Sequence, residues 1–357
     1  MRCVCDVIVL CWNRVELTKK FVNSFLDNTT IPSRLIIIDN ASDDGTKEYL
    51  QTLKDAGYFK IEVIFNGENR GFVEGMNQGI RMSNAPYVCL ANNDLIFTNG
   101  WLSEMTSIFE RYQSVGVLNP NSNNLGTKLP RGVSLDSFAL DLRSKYKGVF
   151  IEMPFCIGFC MAIRREVIEK VGGLSEEFYP MFFEDTDYSM KAQKAGYLIG
   201  MAKSSYVWHQ EHASFKHWQK EKKEFFFSKS RDVFLRKWGK ILRVAWIVNS
   251  YEELLENIDK AIKLVREGNF VWILTNSFNV KREDVFSGND NIDHSGIKFV
   301  RFTGKLNLMW KIIKKKKRFD LIICRDQLIN LFLKKLKYKV SVLFDKDEVD
   351  RIKRIYG

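Results

Sequence analysis

Four short apolar runs, each closed by a cluster of amides and carboxylates, constrain this chain more than any other feature. Asp6 to Cys11 ends in Trp12-Asn13-Arg14, and Leu35 to Ile38 ends in Asp39-Asn40-Ala41-Ser42-Asp43-Asp44-Gly45. Ile61 to Phe65 leads to Asn69-Arg70-Gly71, and Tyr87 to Ala91 stops at Asn92-Asn93-Asp94. Short apolar runs bounded by turn formers read as buried strands. Between them, Val15 to Asn28 places Leu17, Phe21, Val22, Phe25 and Leu26 close to helical spacing. A second helix would start at an Asp43 or Asp44 cap, with Leu50 and Leu53 inward, and a third would cover about Val73 to Met82. Strand and helix in this alternation give a mostly parallel α/β sheet, whose carboxyl edge is where such sheets bind ligands. Taken alone, Asn92-Asn93-Asp94 favours a turn. Its recurrence in kind at four strand ends makes it part of an edge.

A second polar cluster lies downstream. Phe178-Tyr179-Pro180-Met181-Phe182-Phe183 runs into Glu184-Asp185-Thr186-Asp187, three carboxylates within four residues. Apolar surroundings and a neighbouring carboxylate both raise a carboxyl pKa, which suits a general base. The same residues also suit the first turn of a helix from Tyr188 to Ala195, closed by Gly196. Leu198 to Met201 reads as a short strand, and after it comes Tyr206-Val207-Trp208-His209-Gln210-Glu211-His212. His209 is the better ligand candidate of the two histidines. Gly71, Gly75 and Gly79 are four apart, yet fit neither the P-loop nor the dinucleotide fingerprint, so they serve turns and close packing. Asn77, on the same helix, is placed to reach the ligand edge. Trp101 to Tyr112 reads as a helix, Val115 to Leu118 as a strand, and Asn119 to Gly132 as a long polar loop.

Composition excludes several classes. A chain of 357 residues with 45% hydrophobic and 13% aromatic content folds around real cores, in two domains, and is not disordered. No apolar run nears the roughly 18–20 residues of a membrane span, and the N-terminus reads as a first strand rather than a leader. Cys3-x-Cys5 and Cys156-x-x-x-Cys160 lack partners at zinc spacing. Free thiols in apolar runs point to a reducing, cytoplasmic setting. Of the net charge of +12, residues 241–357 hold 24 Lys and Arg against 15 Asp and Glu, or +9. Such a surface suits anionic lipid, a phosphorylated acceptor or nucleic acid, and is equally a solvated face. Nucleic acid leaves the acidic clusters unexplained.

Residues 6 to about 212 resemble the family 2 glycosyltransferases of GT-A fold, particularly the rhamnosyl- and galactofuranosyltransferase-like branch. The motifs are Val9-Leu10-Cys11-Trp12-Asn13-Arg14, Ile38-Asp39-Asn40-Ala41-Ser42-Asp43-Asp44-Gly45-Thr46, Asn69-Arg70-Gly71-Phe72 with Asn77-Gln78-Gly79, and Asn92-Asn93-Asp94. Gly158 with Gly172-Gly173-Leu174, Phe183-Glu184-Asp185-Thr186-Asp187-Tyr188 and His209 complete the set. The resemblance implies an inverting, metal-dependent transfer of a sugar from a nucleotide-diphosphate sugar, UDP- or dTDP-linked, to a hydroxyl of a glycan or lipid-linked glycan. Asp39 would hold the base or ribose, with Trp12, Asn13 and Asn69 lining the pocket, and Gly71, Asn77, Asn92 and Asn93 beside the donor. Asp94 would face Mg2+ or Mn2+, with His209 completing the site. Asp185 would be the base, and Glu184 and Asp187 would position donor or acceptor. Asn92 stands where many members have Asp, and Lys191 where relatives often have Arg. The alternative is a non-catalytic sugar-nucleotide- or glycan-binding protein on a degenerate scaffold.

The resulting division is a GT-A catalytic domain over 1–214, a basic aromatic helical connector over 215–240, and a small Rossmann-like α/β domain over 241–357. In the connector, Phe215, Trp218, Phe225-Phe226-Phe227, Phe234 and Trp238 among lysines and arginines read as a helix packing on the catalytic domain, or on an anionic membrane surface. The last domain lacks a phosphate loop. It would serve acceptor binding, oligomerisation or peripheral contact with an anionic membrane at its inner face, and Trp310 with Lys311 and Lys314 to Arg318 is its sharpest feature.

Overall fold

The computed structural model describes residues 3–58, 60–210, 220–276, 285 and 293–354. The chain divides into two units, Met1–Phe150 with Phe155–Val233, and Ile151–Pro154 with Phe234–Gly357.

In the first unit, β1 (Cys5–Cys11), α1 (Val15–Asn28), β2 (Ser33–Asp39), α2 (Thr46–Asp55), β3 (Ile61–Phe65), α3 (Gly71–Met82) and β4 (Tyr87–Asn92) follow the expected alternation. Then come β5 (Leu95–Phe97), α4 (Trp101–Arg111), β6 (Val115–Ser122), α5 (Leu135–Tyr146) and β7 (Phe150–Glu152). β8 (Cys160–Arg164), α6 (Arg165–Val171), α7 (Glu184–Lys194), β9 (Leu198–His209) and α8 (Lys220–Trp238) complete this part. The strand order is β9-β6-β8-β4-β1-β2-β3, with β5 paired to β9. β3, β2, β1 and β4 are parallel. β8 runs antiparallel to both β4 and β6, so the sheet is mixed. That reversal brings the start of β8 to the carboxyl edge: Cys160 pairs with Ala91, and Asn92 N–H donates to Phe159 O at 2.9 Å.

The corner after Asp94 is fixed by aromatic packing. Phe97 meets Phe21 and Phe25 edge-on at 4.9 and 5.9 Å and Trp101 at 4.3 Å, all four fully buried. Close packing at native density leaves such a corner little freedom. In α8, Phe227 packs against Phe182 and Phe183 at 5.7 and 5.3 Å. Phe215, Trp218 and His212 lie outside the described residues.

Two expectations are corrected. Asn119 to Ser122 are strand, not loop, and every residue of β6 is buried. β9 is one strand of 12 residues rather than a short one at Leu198 to Met201. Its buried Ser204 and Ser205 donate to Glu104 Oε2 and Trp101 O, both at 2.7 Å. Polar residues survive inside this strand because α4 supplies their acceptors.

The second unit holds β10 (Arg243–Val248), α9 (Tyr251–Arg266), β11 (Phe270–Asn276), β12 (Asp293–His294), β13 (Ile297–Phe302) and α10 (Lys305–Ile313). β14 (Leu321–Ile323), α11 (Gln327–Lys335), β15 (Val340–Ser341) and α12 (Lys346–Arg354) follow. Its sheet, β13-β11-β10-β14-β15, is parallel throughout. One face carries α9 and α12, and the other carries α10 and α11, each over its own apolar core. Among the described residues no helix is long and apolar enough to cross a membrane.

Candidate active site

The carboxyl edge of the first sheet is held by unusual backbone. Among the described residues the positive-φ positions other than glycine are Asn13, Arg14, Ala41, Phe182, Phe183 and Lys337. All but Lys337 lie at this edge or lead into α7. Such strain persists where surrounding contacts over-determine it, and it gathers at functional sites.

Asp94 and His209 meet where β5 pairs with the end of β9. Asp94 is buried, and His209 Nε2 lies 3.0 Å from its Oδ1. The approach is close, but it is not aligned as a hydrogen bond, since Asp94 Oδ1 has no hydrogen-bond partner among the described residues. Two ligands at about 2.1 Å from one ion, set at right angles, would sit about 3 Å apart. The donor pair therefore fits a divalent cation that takes its remaining ligands from phosphate and water. Among the described residues no group of three His, Cys, Asp or Glu side chains could hold a metal without such help.

The residues that aim His209 were not legible as functional. Asn123 exchanges hydrogen bonds with the His209 backbone, donating to its carbonyl at 2.9 Å and accepting from its N–H at 2.8 Å. Asn124 Nδ2 lies 2.8 Å from Nδ1. As oriented, it donates to the ring and leaves the proton on Nε2. Metal binding at Nε2 requires the other tautomer, and Asn124 supplies it by turning its carbonyl oxygen inward. The only signal in the sequence was a run of asparagines after a strand, which looks like a turn.

Asp185 stands in the first turn of α7. Its Oδ2 accepts from Gly158 N–H at 2.8 Å, and its Oδ1 accepts from Thr186 N–H at 2.6 Å and Thr186 Oγ1 at 3.1 Å. Gly158 leaves little space: a Cβ there would lie 3.3 Å from Asp185 Cβ and 3.4 Å from Oδ2. Asn119 braces that turn, donating to Ile157 O and Cys160 O at 2.8 and 2.6 Å and accepting from Ile157 N–H at 2.7 Å. The next residue, Phe159, stacks on the His209 ring at 5.5 Å. Two consecutive residues thus touch the two halves of the site.

Glu184 is buried, and its Oε2 has no partner among the described residues. Burial first, and then the charge of Asp185, push it up to about 8. Burial also raises Asp185, against the donors just named. Backbone groups at Phe182 and Glu184 itself oppose the rise of Glu184, but less than burial and the Asp185 charge promote it, so of the two carboxyls Glu184 is the one that favours the proton. Asp187 is fully buried and accepts from Ser175 Oγ at 2.6 Å, with Lys191 Nζ at 3.9 Å. It anchors α7 to the turn before it rather than facing the edge.

The nucleotide half rests on β1 and β2. Asp39 is buried, with Oδ2 accepting from Ser42 N–H at 3.3 Å and Oδ1 unpartnered among the described residues. A buried acceptor left open at a strand end is expensive unless a ligand donates to it. Asn13 N–H donates to Ser42 Oγ at 2.7 Å, and Asn13 Oδ1 accepts from Asp43 N–H at 2.8 Å, so its side chain ties two loops together. Trp12 is 44% exposed beside them, an aromatic surface open for stacking. The N-cap of α2 is Gly45 rather than Asp43 or Asp44; Asp44 instead accepts from Thr46 N–H, from Arg14 N–H and, at 3.2 Å, from Val15 N–H at the head of α1. Gly45, with φ +88°, begins α2.

Three of the candidate donor-binding residues are engaged within the protein. Asn69 Oδ1 accepts from Asn40 Nδ2 and Gly71 N–H, both at 2.9 Å. Asn77 is buried and exchanges two 2.8 Å bonds with the Leu174 backbone, which turns it away from the ligand edge. Gly71, with φ +72°, packs against Tyr179 and Pro180, where a Cβ would meet atoms at 3.0 Å. Asn92 is half-buried and Asn93 buried on the edge itself. Asn40, overlooked in the sequence, is the hub here: it also accepts from Arg70 N–H and Asn66 Nδ2 at 3.0 and 3.1 Å.

Residues 6–172 match the family described as Glycosyl transferase family 2. The chain is 23% identical over 199 residues to the glycosyltransferase AglE of Haloferax volcanii, covering 55% of this chain and 64% of that protein. It is 23% identical over 237 residues to the N-acetylglucosaminyl-diphospho-decaprenol L-rhamnosyltransferase of Mycobacterium tuberculosis, covering 58% of this chain and 76% of the relative. Coverage falls to 27% of a Sinorhizobium fredii protein. Among solved structures, a mannosyltransferase from Pyrobaculum calidifontis in complex with GDP-Man and Mn2+ aligns with a TM-score of 0.46 at 18% identity, over 60% of this chain and 59% of that one.

Proposed function

We propose that this chain, whose residues 6–172 match Glycosyl transferase family 2, transfers a sugar from a nucleotide-diphosphate sugar to an acceptor hydroxyl with inversion. The observation that carries this reading is the Asp185 carboxylate, held by Gly158 N–H at 2.8 Å, one residue away from the ring that stacks on His209. Asp185 takes the proton of the acceptor hydroxyl, whose oxygen attacks the anomeric carbon as the bond to the diphosphate breaks. The nucleoside diphosphate leaves with the electron pair. Proton transfer of this kind needs the hydroxyl within about 3 Å of the carboxylate. Glu184, neutral at pH 7, lets Asp185 stay charged at the head of α7. Asp94 and His209 would hold Mg2+ or Mn2+, which when bound supplies positive charge to the diphosphate leaving group.

Asp39 takes a donor from the base or ribose, and Trp12 offers its exposed face to the base. A UDP- or dTDP-sugar is the favoured donor, and a rhamnosyltransferase-like specificity is the finer reading. The acceptor is a glycan or lipid-linked glycan, met at the cytoplasmic side of a membrane that the basic second unit contacts peripherally.

The test is transfer and donor hydrolysis across UDP-, dTDP- and GDP-sugars, with and without Mn2+, using Asp185→Asn as control. Turnover that needs Asp185 and rises with pH through a value above the usual carboxylate range supports the reading. An Asp185→Asn protein that works at the wild-type rate overturns it.

A further inference from the structure

The outer surface of the second unit does not follow the pattern of a solvated helical layer. α10 and α11 cover one face of the parallel sheet, and both send apolar residues inward: Leu308 and Ile312 from α10, Ile329 and Leu333 from α11, into one core with Ala245 and Ile247. A surface helix normally turns a polar face outward. These two do not. α10 exposes Leu306 at 85%, Trp310 at 54% and Ile313, spaced as one outward stripe. α11 exposes Leu328 at 67%, Leu331 at 60% and Phe332 in the same manner. Because both helices lie on the same side of one sheet, the two stripes face the same way.

The charge around the stripes is predominantly positive. Residues 298–343 contain fourteen Lys and Arg and two Asp. Both aspartates are engaged, Asp320 with Lys240 at 2.6 Å and Asp326 with Lys305 at 2.7 Å. Beyond the end of α10, three cations gather round the buried Trp272 ring: Arg243 at 4.5 Å, Lys315 at 5.3 Å and Lys298 at 5.5 Å. Arg243 Nε is buried there without a hydrogen-bond partner among the described residues. Burial, then the charges of Arg243, Lys298 and Lys311, lower the Lys315 ammonium from its usual value. Among the described residues, Asp320 meets this cluster only through the Arg243 backbone N–H, at 2.9 Å, and like charges held together in this way attract a further anion.

We propose that the α10–α11 layer is a docking face for an anionic lipid bilayer. Trp310, Leu306 and Leu328 enter the headgroup boundary, and the Arg243–Lys298–Lys315 cluster takes a lipid phosphate. Apolar stripes ringed by lysine are the chemistry of interfacial helices. A second copy of this chain would bring the same positive rim against itself, which charge complementarity disfavours. The proposal rests on the peripheral contact named above and gives it a surface. It is independent of the sugar-transfer chemistry, which is read without vesicles.

The experiment is sedimentation of the full chain with phosphatidylcholine vesicles, with and without phosphatidylglycerol, at low and high salt. The expected result is pelleting with the anionic vesicles that weakens with salt, as screening requires. Leu306→Asp with Trp310→Ser should reduce it by about tenfold or more, and Lys298→Glu with Lys315→Glu should do likewise. Leu140→Ser, which removes an exposed apolar residue of the first unit, should change nothing. Circular dichroism and donor hydrolysis in vesicle-free buffer show that each variant is folded. Failure to pellet overturns the proposal, as does pelleting untouched by either pair of substitutions. Competition by inorganic polyphosphate alone, without any vesicle binding, would make the cluster a soluble-phosphate site and also overturn it. A concentration-dependent dimer lost in the Leu306→Asp, Trp310→Ser protein, with no vesicle binding, would assign the face to a second copy instead.

Discussion

The two units share the same strand–helix rhythm but use the polar residues at their strand ends in different ways. In the second unit those residues close helices: Ser250 Oγ accepts from Glu253 N–H at 3.2 Å, and Asp326 Oδ1 accepts from Ile329 N–H at 3.0 Å. In the first unit, α1, α2, α4 and α7 begin at left-handed residues, Arg14, Gly45, Gly100 and Phe183, without a side-chain cap. The carboxylates and amides so released cross-link loops or, like Asp39 Oδ1, remain open. Hydrogen-bond accounting at the strand ends therefore separates a binding edge from a structural one, where rhythm alone cannot.

Asp185→Asn tests that contrast most severely. Loss of a general base should lower kcat by about a hundred- to ten-thousandfold with donor KM little changed, as steady-state kinetics would register. Glu184→Gln comes next, and it reads stability. Glu184 titrates near 8 in the folded protein against an ordinary 4.5, so the folded state holds a proton that the unfolded chain has lost. Wild-type stability therefore falls as pH rises from about 4.5 to 8, then levels off. Glu184→Gln removes that loss and should gain up to about 5 kcal/mol at pH 9 but little at pH 4, measured by thermal or urea unfolding. A gain independent of pH would mean that Glu184 is not the proton holder.

Gly158→Ala should lower turnover about tenfold, because near-attack geometry is sensitive to shifts well below 1 Å. Its added methyl must displace Asp185 by a few tenths of an ångström, and rapid-mix kinetics beside an unchanged melting curve would show it. The smallest effect belongs to the second unit. Ser250→Ala should cost about 1 kcal/mol of stability and leave donor hydrolysis unchanged. Were it to lower hydrolysis at full folding, the separation of roles between the two units would break.

The candidate residues of the first unit's edge, Asp39, Asn92 to Asp94, Asp185 and His209, stand out in the sequence because apolar runs give way to polar clusters there within a few residues. The supporting residues were hidden for the same reason in reverse. Asn119, Asn123 and Asn124 carry the composition of a loop, and only their hydrogen bonds to the Ile157 turn and to His209 show that they are braces. Ser204 and Ser205 masked the length of β9 because their partners sit a hundred residues away on α4. Asn77 and Asp187 pointed the other way. Both look like ligand contacts in sequence, yet both are satisfied by backbone or hydroxyl groups of the turn at 174–175. Chain-local pattern reports polarity; it does not report which partner a polar group has found.

The proton on Glu184 also sets what an incoming anion meets. The head of α7 counts three acidic side chains, but Glu184 is neutral below about pH 8 and Asp187 sits within 3.9 Å of Lys191. A doubly charged donor approaching that turn is opposed by one uncompensated charge, that of Asp185, rather than three. The repulsion that would exclude a diphosphate is thus largely cancelled before it arrives. Above pH 8 a second charge returns, and admission of the donor, rather than the chemistry that follows, should be the first thing to suffer.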